Sequence, residues 1–417
     1  MLIHSASQLL TLSGPPQRGS QLGRLGMIED GGVLIRSGKI ILTGKSDDLL
    51  REYPGEERLD ASGRVVMPGF VDPHTHAVWS GDRAAEFEMS LQGKTYLEIM
   101  EAGGGILSTV GKTRAASLAQ LKTESRPRLE EMFVQGTTTV EAKTGYGLDY
   151  ETEVRMLQAL LELNEELPIE ICPTFLAAHA VPPEFEGDSE GYTDLIVQEM
   201  LPDLQTWWKD RGEEPLLFVD VFCETGAFNL AQSRKILEAA RDLGFPLKIH
   251  ADEFDNLGGA HLAAELGAVS ADHLVVTSPE DIQSLAESET VAVGLPCTPF
   301  GLAEGEYTPA RKILASGGLL AVATDLNPGT AWGGNMQFVL ALACRYMRLT
   351  PREAIAAATI NAAAAVRRQD RIGSLEPGKQ ADLIILDVDD YRHLGYRFGS
   401  NLVHTVIKKG NLYQVKE

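Results

Sequence analysis

His74 and His76 stand two positions apart at the exit of an apolar stretch, Met67-Pro-Gly-Phe-Val-Asp-Pro-His-Thr-His-Ala77. In an extended chain, side chains two apart share a face. Both imidazoles can therefore converge on one point, and neutral imidazole is a good ligand for zinc and iron. Three later segments carry further donors: Lys248-Ile-His250-Ala-Asp-Glu253, Ser270-Ala-Asp-His273 and Ala323-Thr-Asp325. His74, His76, His250 and Asp325 together make three imidazoles and one carboxylate, a set that can still admit water or substrate. A metal held this way brings the pKa of a bound water toward about 7. Glu253, three residues after His250, is placed to act as general base and proton shuttle. His273 fits two roles, a further metal ligand or a hydrogen-bond partner of the hydroxide and the developing oxyanion, and we favour the second. Each residue alone has a plainer reading: a loop histidine, a helix N-cap, a solvated carboxylate. Their recurrence at the ends of successive apolar runs weighs against it.

Those runs define the elements that must position the donors. Candidate strands end at His74/His76, then cover Thr137 to Lys143, Ile169 to His179 and Phe218 to Cys223. Four more cover Pro246 to Glu253, Val269 to His273, Val291 to Pro296 and Leu319 to Asp325. Most precede a segment of helical periodicity, such as Glu151 to Glu166 or Leu230 to Leu243. Alternating strands and helices imply parallel βαβ units, and eight of them imply an α/β fold of the (β/α)₈ TIM-like barrel type. The polar residues cluster at the C-terminal strand ends, where such barrels carry their active sites. The ends of the chain differ in texture. Gly32 to Arg36, Ser37-Gly-Lys39 and Ile40 to Leu42 read as a hairpin, as do Val403 to Lys408 and Gly410 to Tyr413, while Ala381 to Asp387 reads as a strand. Residues 1–66 and 376–417 are thus expected to form one composite β-sandwich domain around an inserted barrel of residues 67–375. Ala77 to Ser117, with Gly103-Gly-Gly105, is a long connection of the kind that is often functional. Pro127 predicts a kink or a late helix start, and Ile355 to Val366 a tightly packed Ala-rich helix.

Composition narrows the partners. The 417-residue chain has a formal net charge of −22 and 23% charged residues. That balance argues against nucleic acid and anionic membranes, and it means that an anionic substrate needs a local cation. Cys172, Cys223, Cys297 and Cys344 are far apart and form no C-x-x-C, as expected of buried, reduced thiols in a cytoplasmic protein. Met1 to Gly14 lacks the basic and apolar regions of a signal peptide, and no apolar run is long enough to span a bilayer. Gly111-Lys-Thr113 is similar to the end of a P-loop, but Ile106 stands where the first glycine is required. His4, His261, His393 and His404 fall outside the strand ends and are read as structural or solvated.

The motifs VDPHTH and KIHADE resemble those of the amidohydrolase superfamily, whose members join a metal-bearing barrel to a β-sandwich made from both chain ends. Within it, GGGILSTV, TTTVEAKTGYGL, LAAHAVPPE, SADHL and ATDLNPG are similar to the imidazolonepropionase family of histidine degradation. The resemblance covers nearly the whole barrel and is weak at the β-domain ends. It implies one Zn²⁺ or Fe³⁺ per subunit on His74, His76, His250 and Asp325, with Glu253 and His273 assisting catalysis. Whether Glu253 or Asp325 is the primary base stays open. The substrate shell carries over onto Arg83, Tyr96, Tyr146, His179, Glu253, Asn327, Gly329 and Thr330, the last of which is often Ser in the family. The implied reaction is hydrolysis of the cyclic amide 4-imidazolone-5-propanoate to N-formimidoyl-L-glutamate, by a cytoplasmic protein that is commonly a homodimer. Arg83 could form the bidentate fork that a propionate tail prefers, although a surface salt bridge to Glu86 is the plainer reading. The rival within the superfamily is a deaminase of a pyrimidine or purine, which needs no such cation. A scaffold protein on the same fold is the non-enzymatic rival, and the complete ligand set argues against it. Lys143 ends the second strand, whereas binuclear relatives bridge two metals through a lysine on the fourth; the fourth strand here ends at Cys223-Glu224, so we expect one metal and a structural Lys143.

Overall fold

A computed structural model of the chain describes residues 1–94, 98, 104–212 and 216–415. Eight parallel strands run in chain order around a nearly closed barrel: β1 (Phe70–Asp72), β2 (Thr137–Lys143), β3 (Glu170–Ala178), β4 (Phe218–Cys223), β5 (Lys248–Ala251), β6 (Ser270–His273), β7 (Val291–Gly294) and β8 (Leu319–Val322). Helices bury their apolar stripes against it. Tyr150–Glu166 buries Met156, Leu157, Leu160 and Leu163, the three-and-four spacing of one helical face. Leu230–Asp242 starts at a capping box of Asn229 and Gln232 and buries Ile236, Leu237 and Ala240.

A second sheet is built from both ends of the chain. Its order is Asn411–Gln414, Val403–Lys408, Leu383–Leu386, Val65–Pro68, Leu2–Leu10, Met27–Arg36, Lys39–Lys45, with Arg58–Asp60 also paired to Leu2–Leu10. The expected hairpins are both present. The sheet curls until their turns meet. A Cβ on Gly38 would come within 2.9 Å of the Lys409 carbonyl, and the positive φ of 73° there also favours glycine. Ile3, Leu9, Val33, Ile40, Val66 and Ile407 share the apolar cluster that this curl encloses.

Several local expectations need correction. The run that carries His74 is not one strand. Val65–Pro68 belongs to the terminal sheet and Phe70–Asp72 to the barrel. Gly69 divides them, because its backbone passes so close to Thr138 that a Cβ would lie 2.3 Å from Cγ2. The long connection after His76 contains helices at Ala84–Leu91 and Ile106–Ala115, while Gly103 lies outside the described residues. The helix Leu118–Val134 runs through Pro127 and starts early rather than late, capped by Ser117. The Ala-rich run is two helices, Pro351–Ala357 and Ile360–Ala364, interrupted at Thr359, whose hydroxyl turns back to the Ile355 carbonyl at 2.6 Å. All four cysteines are free; three are buried and Cys344 is half-buried. Among the described residues no helix is long and apolar enough to cross a membrane.

Candidate functional site

The barrel closes where β1 and β8 leave the ladder, and three of the sequence-predicted ligands, His74, His76 and Asp325, sit on that seam, with His250 on β5. The Asp325 amide donates to the His74 carbonyl at 3.1 Å, and the His76 amide donates to the Leu326 carbonyl at 2.8 Å. Asp72 fastens the seam from below, accepting from the Thr324 amide at 3.1 Å and from its hydroxyl at 2.5 Å. Asp252, His273 and Asp325 all have positive φ, of 55°, 79° and 55°. A non-glycine residue in that region costs of order 1 kcal/mol or more. The turns at Asp252 and Asp325 end their strands sooner than the apolar pattern suggests, while the strand at His273 ends where expected.

Four donors converge there. His76 Nε2 and His250 Nε2 are 3.4 Å apart, and Asp325 Oδ1 lies 3.5 Å from His74 Nε2 and 3.7 Å from His76 Nε2. His74 Nε2 is buried with no hydrogen-bond partner. Burial, reinforced by neighbouring cationic groups, holds the pKa of His74 and His76 well below the usual histidine range, so both imidazoles are neutral. Burial pushes the Asp325 carboxyl up to about 6, against a hydrogen bond from the Thr298 hydroxyl. An orphaned lone pair, two imidazole nitrogens face to face and a carboxylate short of compensation fit a metal ion. Two further histidines are near enough to offer nitrogens: His273 groups with His74 and His250, and His179 with His76 and His250.

Beneath the donors lies a lattice of buried charge that the sequence reading left out, apart from Lys143. Asp272 Oδ2 is 2.6 Å from His74 Nδ1, and Asp220 Oδ2 is 3.1 Å from His250 Nδ1. A carboxylate can only accept, so Asp272 places the proton of His74 on Nδ1 and leaves its Nε2 bare to bind. Lys143 Nζ joins the two carboxylates, 2.8 Å from Asp220 and 3.7 Å from Asp272, and also meets Glu141 at 2.8 Å. All four are fully buried. Burial alone would neutralise Lys143, but Asp220, Glu141 and Asp272 outweigh it and raise its pKa. A signal was present in the sequence: Glu141 and Lys143 are two apart, on one face of an otherwise apolar strand.

Of the remaining sequence-predicted residues, Glu253 places its Oε2 3.6 Å from His273 Nε2, and burial, then the charge of Asp325, raises the Glu253 pKa well above the usual carboxylate range. His179 stacks on His76 with ring centroids 4.8 Å apart, and Tyr146 lies 5.3 Å from His179 and 5.7 Å from His76. Arg83 pairs through Nε with Glu86 at 2.7 Å, as the plainer reading held. Its guanidinium also reaches the loop after β8: a Cβ on Gly329 would lie 2.4 Å from Arg83 Nη1. Asn327 is spent on its own loop. Its Oδ1 accepts from the amides of Gly329 and Thr330, both at 2.8 Å, and its Nδ2 donates to the Asp325 carbonyl at 2.7 Å. Tyr96 lies outside the described residues. Arg128 is a contributor that sequence reasoning missed. It donates to the carbonyls of Ala77 and Trp79, fixing the chain just after His76, and its guanidinium lies 3.4 Å over the Trp79 ring. A cavity of about 650 Å³ opens between the exits of β3 and β4, lined by Pro182, Glu224, Asn229 and Leu257 and by none of the converging donors.

Comparison with known proteins agrees with this arrangement. Residues 65–413 match the amidohydrolase family. The chain is 51% identical over 413 residues to the imidazolonepropionase of Herpetosiphon aurantiacus, covering 99% of this chain and 96% of that protein. It is 49% identical over 422 residues to the imidazolonepropionase of Chloroflexus aggregans, covering 100% and 99%. Among solved structures, a triazine hydrolase variant superposes with a TM-score of 0.77 at 19% identity, covering 99% of this chain and 94% of that one. E. coli guanine deaminase superposes with a TM-score of 0.74 at 16% identity, covering 99% and 98%. Those two share the fold; the bacterial relatives share half the residues along essentially the full length. The chain belongs to the amidohydrolase family and, within it, to the imidazolonepropionases.

Proposed function

We propose that this site hydrolyses the ring amide of 4-imidazolone-5-propanoate to N-formimidoyl-L-glutamate, using one zinc or iron ion held by His74, His76, His250 and Asp325. The observation that carries the reading is the convergence of three imidazole nitrogens and one carboxylate oxygen at the barrel mouth. When bound, the metal supplies a Lewis acid and an acidified water. The chain's own residues do the rest. Water adds to the ring carbonyl carbon, the bond from that carbon to the ring nitrogen breaks, and a new carboxylate forms. Glu253 takes the proton from water and returns it to the leaving nitrogen; its environment favours the protonated form, so it can hold that proton between the two steps. His273, 3.6 Å from Glu253, donates to the developing oxyanion. Arg83 takes the propionate, and Tyr146, His179, Gly329 and Thr330 border the ring. Asn327, whose side chain is engaged within the loop, acts by shaping that loop.

The same reading divides the chain into a composite β domain, residues 1–66 plus 376–417, and a barrel of residues 67–375. It places the enzyme in the cytoplasm as a homodimer, with neither nucleic acid nor membrane as partner. Incubating purified protein with the imidazolone and following ring opening, beside metal analysis, tests the function. Loss of the imidazolone chromophore with formation of formimidoylglutamate is expected. Ammonia release from a pyrimidine or purine, with no turnover of the imidazolone, overturns the reading in favour of a deaminase.

A further inference from the structure

We infer that Glu153, a residue with no place in the reaction just described, is the positioning residue for Tyr146 and His179. The inference rests on the reading above, in which those two side chains border the substrate.

Glu153 lies in the first turn of the helix Tyr150–Glu166, directly after the turn that carries Tyr146. Its side chain points away from solvent and is fully buried. It turns back on the chain before it and accepts three backbone N–H groups, Gly145 on Oε2 at 2.9 Å, then Gly147 at 2.7 Å and Leu148 at 2.8 Å on Oε1. Tyr146 is the residue spanned by this grip, so the chain before and after it is anchored to one carboxylate. The turn needs the anchor. Gly145 and Leu148 have positive φ, of 104° and 55°, and Leu148 is not a residue that adopts this region freely. A Cβ on Gly147 would lie 2.9 Å from Glu153 Oε1, so glycine there is what lets the carboxylate approach.

The grip reaches a second side chain. His179 Nδ1 is 2.9 Å from the Gly145 carbonyl. A carbonyl only accepts, so Nδ1 carries the proton and Nε2 presents its lone pair to the site beside His76 and His250. Gly145 thus gives its N–H to Glu153 and its carbonyl to His179. Tyr192 clamps the outer side of the same turn, its hydroxyl 3.0 Å from the Leu148 carbonyl and 2.9 Å from that of Ala177 on β3. The element so held is a rigid bracket between β2 and β3, and Glu153 is its centre.

A glutamine at 153 keeps the shape but owns one oxygen and one NH₂, so it sets a donor against a backbone N–H on one side of Tyr146. A double-mutant cycle reads the consequence. Glu153→Gln is expected to raise KM for the imidazolone by about ten-fold, the usual cost of losing a charge-assisted hydrogen bond, with a smaller change in kcat and unchanged metal content. In a Tyr146→Phe, His179→Asn background the same substitution should cost less than about three-fold, because residues acting as a unit do not add. Glu153→Asp, which keeps the charge on a shorter arm, should fall between Gln and wild type. A cost that adds in full, a wild-type KM in Glu153→Gln, or loss of folding and metal in both variants at 153 overturns the inference while leaving the substrate contacts in place. If Tyr146→Phe and His179→Asn are themselves silent, the reading of those contacts fails and this inference with it.

Discussion

The floor and the rim of this site are built on opposite plans. The floor is His74, His76, His250 and Asp325 on strand ends and the barrel seam, with side-chain charges beneath them: Asp272 under His74, Asp220 under His250, Lys143 between the two. The rim is Arg83, Tyr146, His179 and the Asn327–Thr330 loop, and what holds it is mostly side chains gripping backbone: Glu153 on the Tyr146 turn, Asn327 on its own loop. The floor fixes ring tautomers and donor directions through charge, inside a barrel where a misplaced carboxylate has nowhere to relax. The rim fixes loop shape through amides and leaves side-chain tips free to meet a ligand. Metal affinity and substrate affinity should therefore be separable by mutation.

The strongest attempt to break that separation removes the floor. His74→Ala combined with His250→Ala should abolish metal binding and turnover; wild type should carry about one equivalent of metal. Retention of an equivalent by the double variant, or two tightly bound equivalents in wild type, would place the ion elsewhere. Glu253 stands between floor and rim. Glu253→Gln should keep metal and substrate binding and lower kcat by about 10²–10⁴, the range of general acid–base catalysis. A near-normal kcat would move the base to Asp325 or His273. On the rim, Arg83→Gln should leave metal content alone and raise KM more than it lowers kcat. The loss of a buried charge-assisted bond, about 2–5 kcal/mol, sets its size. The decisive comparison sets the imidazolone against the same ring without its carboxylate; if the variant discriminates as well as wild type, the tail is held by another group. The smallest of these effects is expected from Asp272→Asn. That change should weaken metal binding by about 10–100-fold, measured by competition with a chelator, and leave KM of the loaded enzyme alone. A shifted KM with unchanged metal affinity would show floor and rim to be one unit.

The contrast also explains what could be read from the chain. The eight strands were legible because each is a short apolar run with a polar exit, and the imidazoles stood out because they close such runs. The floor's supports were less visible: a buried Asp272 beside His273 reads as part of the same polar exit until the fold shows that it faces His74. Rim supports were harder still, since a glutamate in the first turn of a helix is ordinary and only the burial of Glu153 reveals its grip. Gly69 and Thr359 failed for two further reasons. Gly69 interrupts its element through a contact with distant Thr138, whereas Thr359 does so through a hydroxyl bond one turn back that an Ala-rich pattern outweighed.

The seam between β1 and β8 has a consequence for the order in which the molecule assembles. His74 and His76 lie near the start of the barrel and Asp325 near its end, so these ligands meet only when the last strand has been made and docked beside the first. Contacts between segments so far apart in the chain are the slowest to form. A nascent or half-folded chain would therefore lack the complete proposed ligand set, which couples metal binding to completion of the barrel. An ion held by the proposed ligands would bridge the joint between the first and last strands of the barrel.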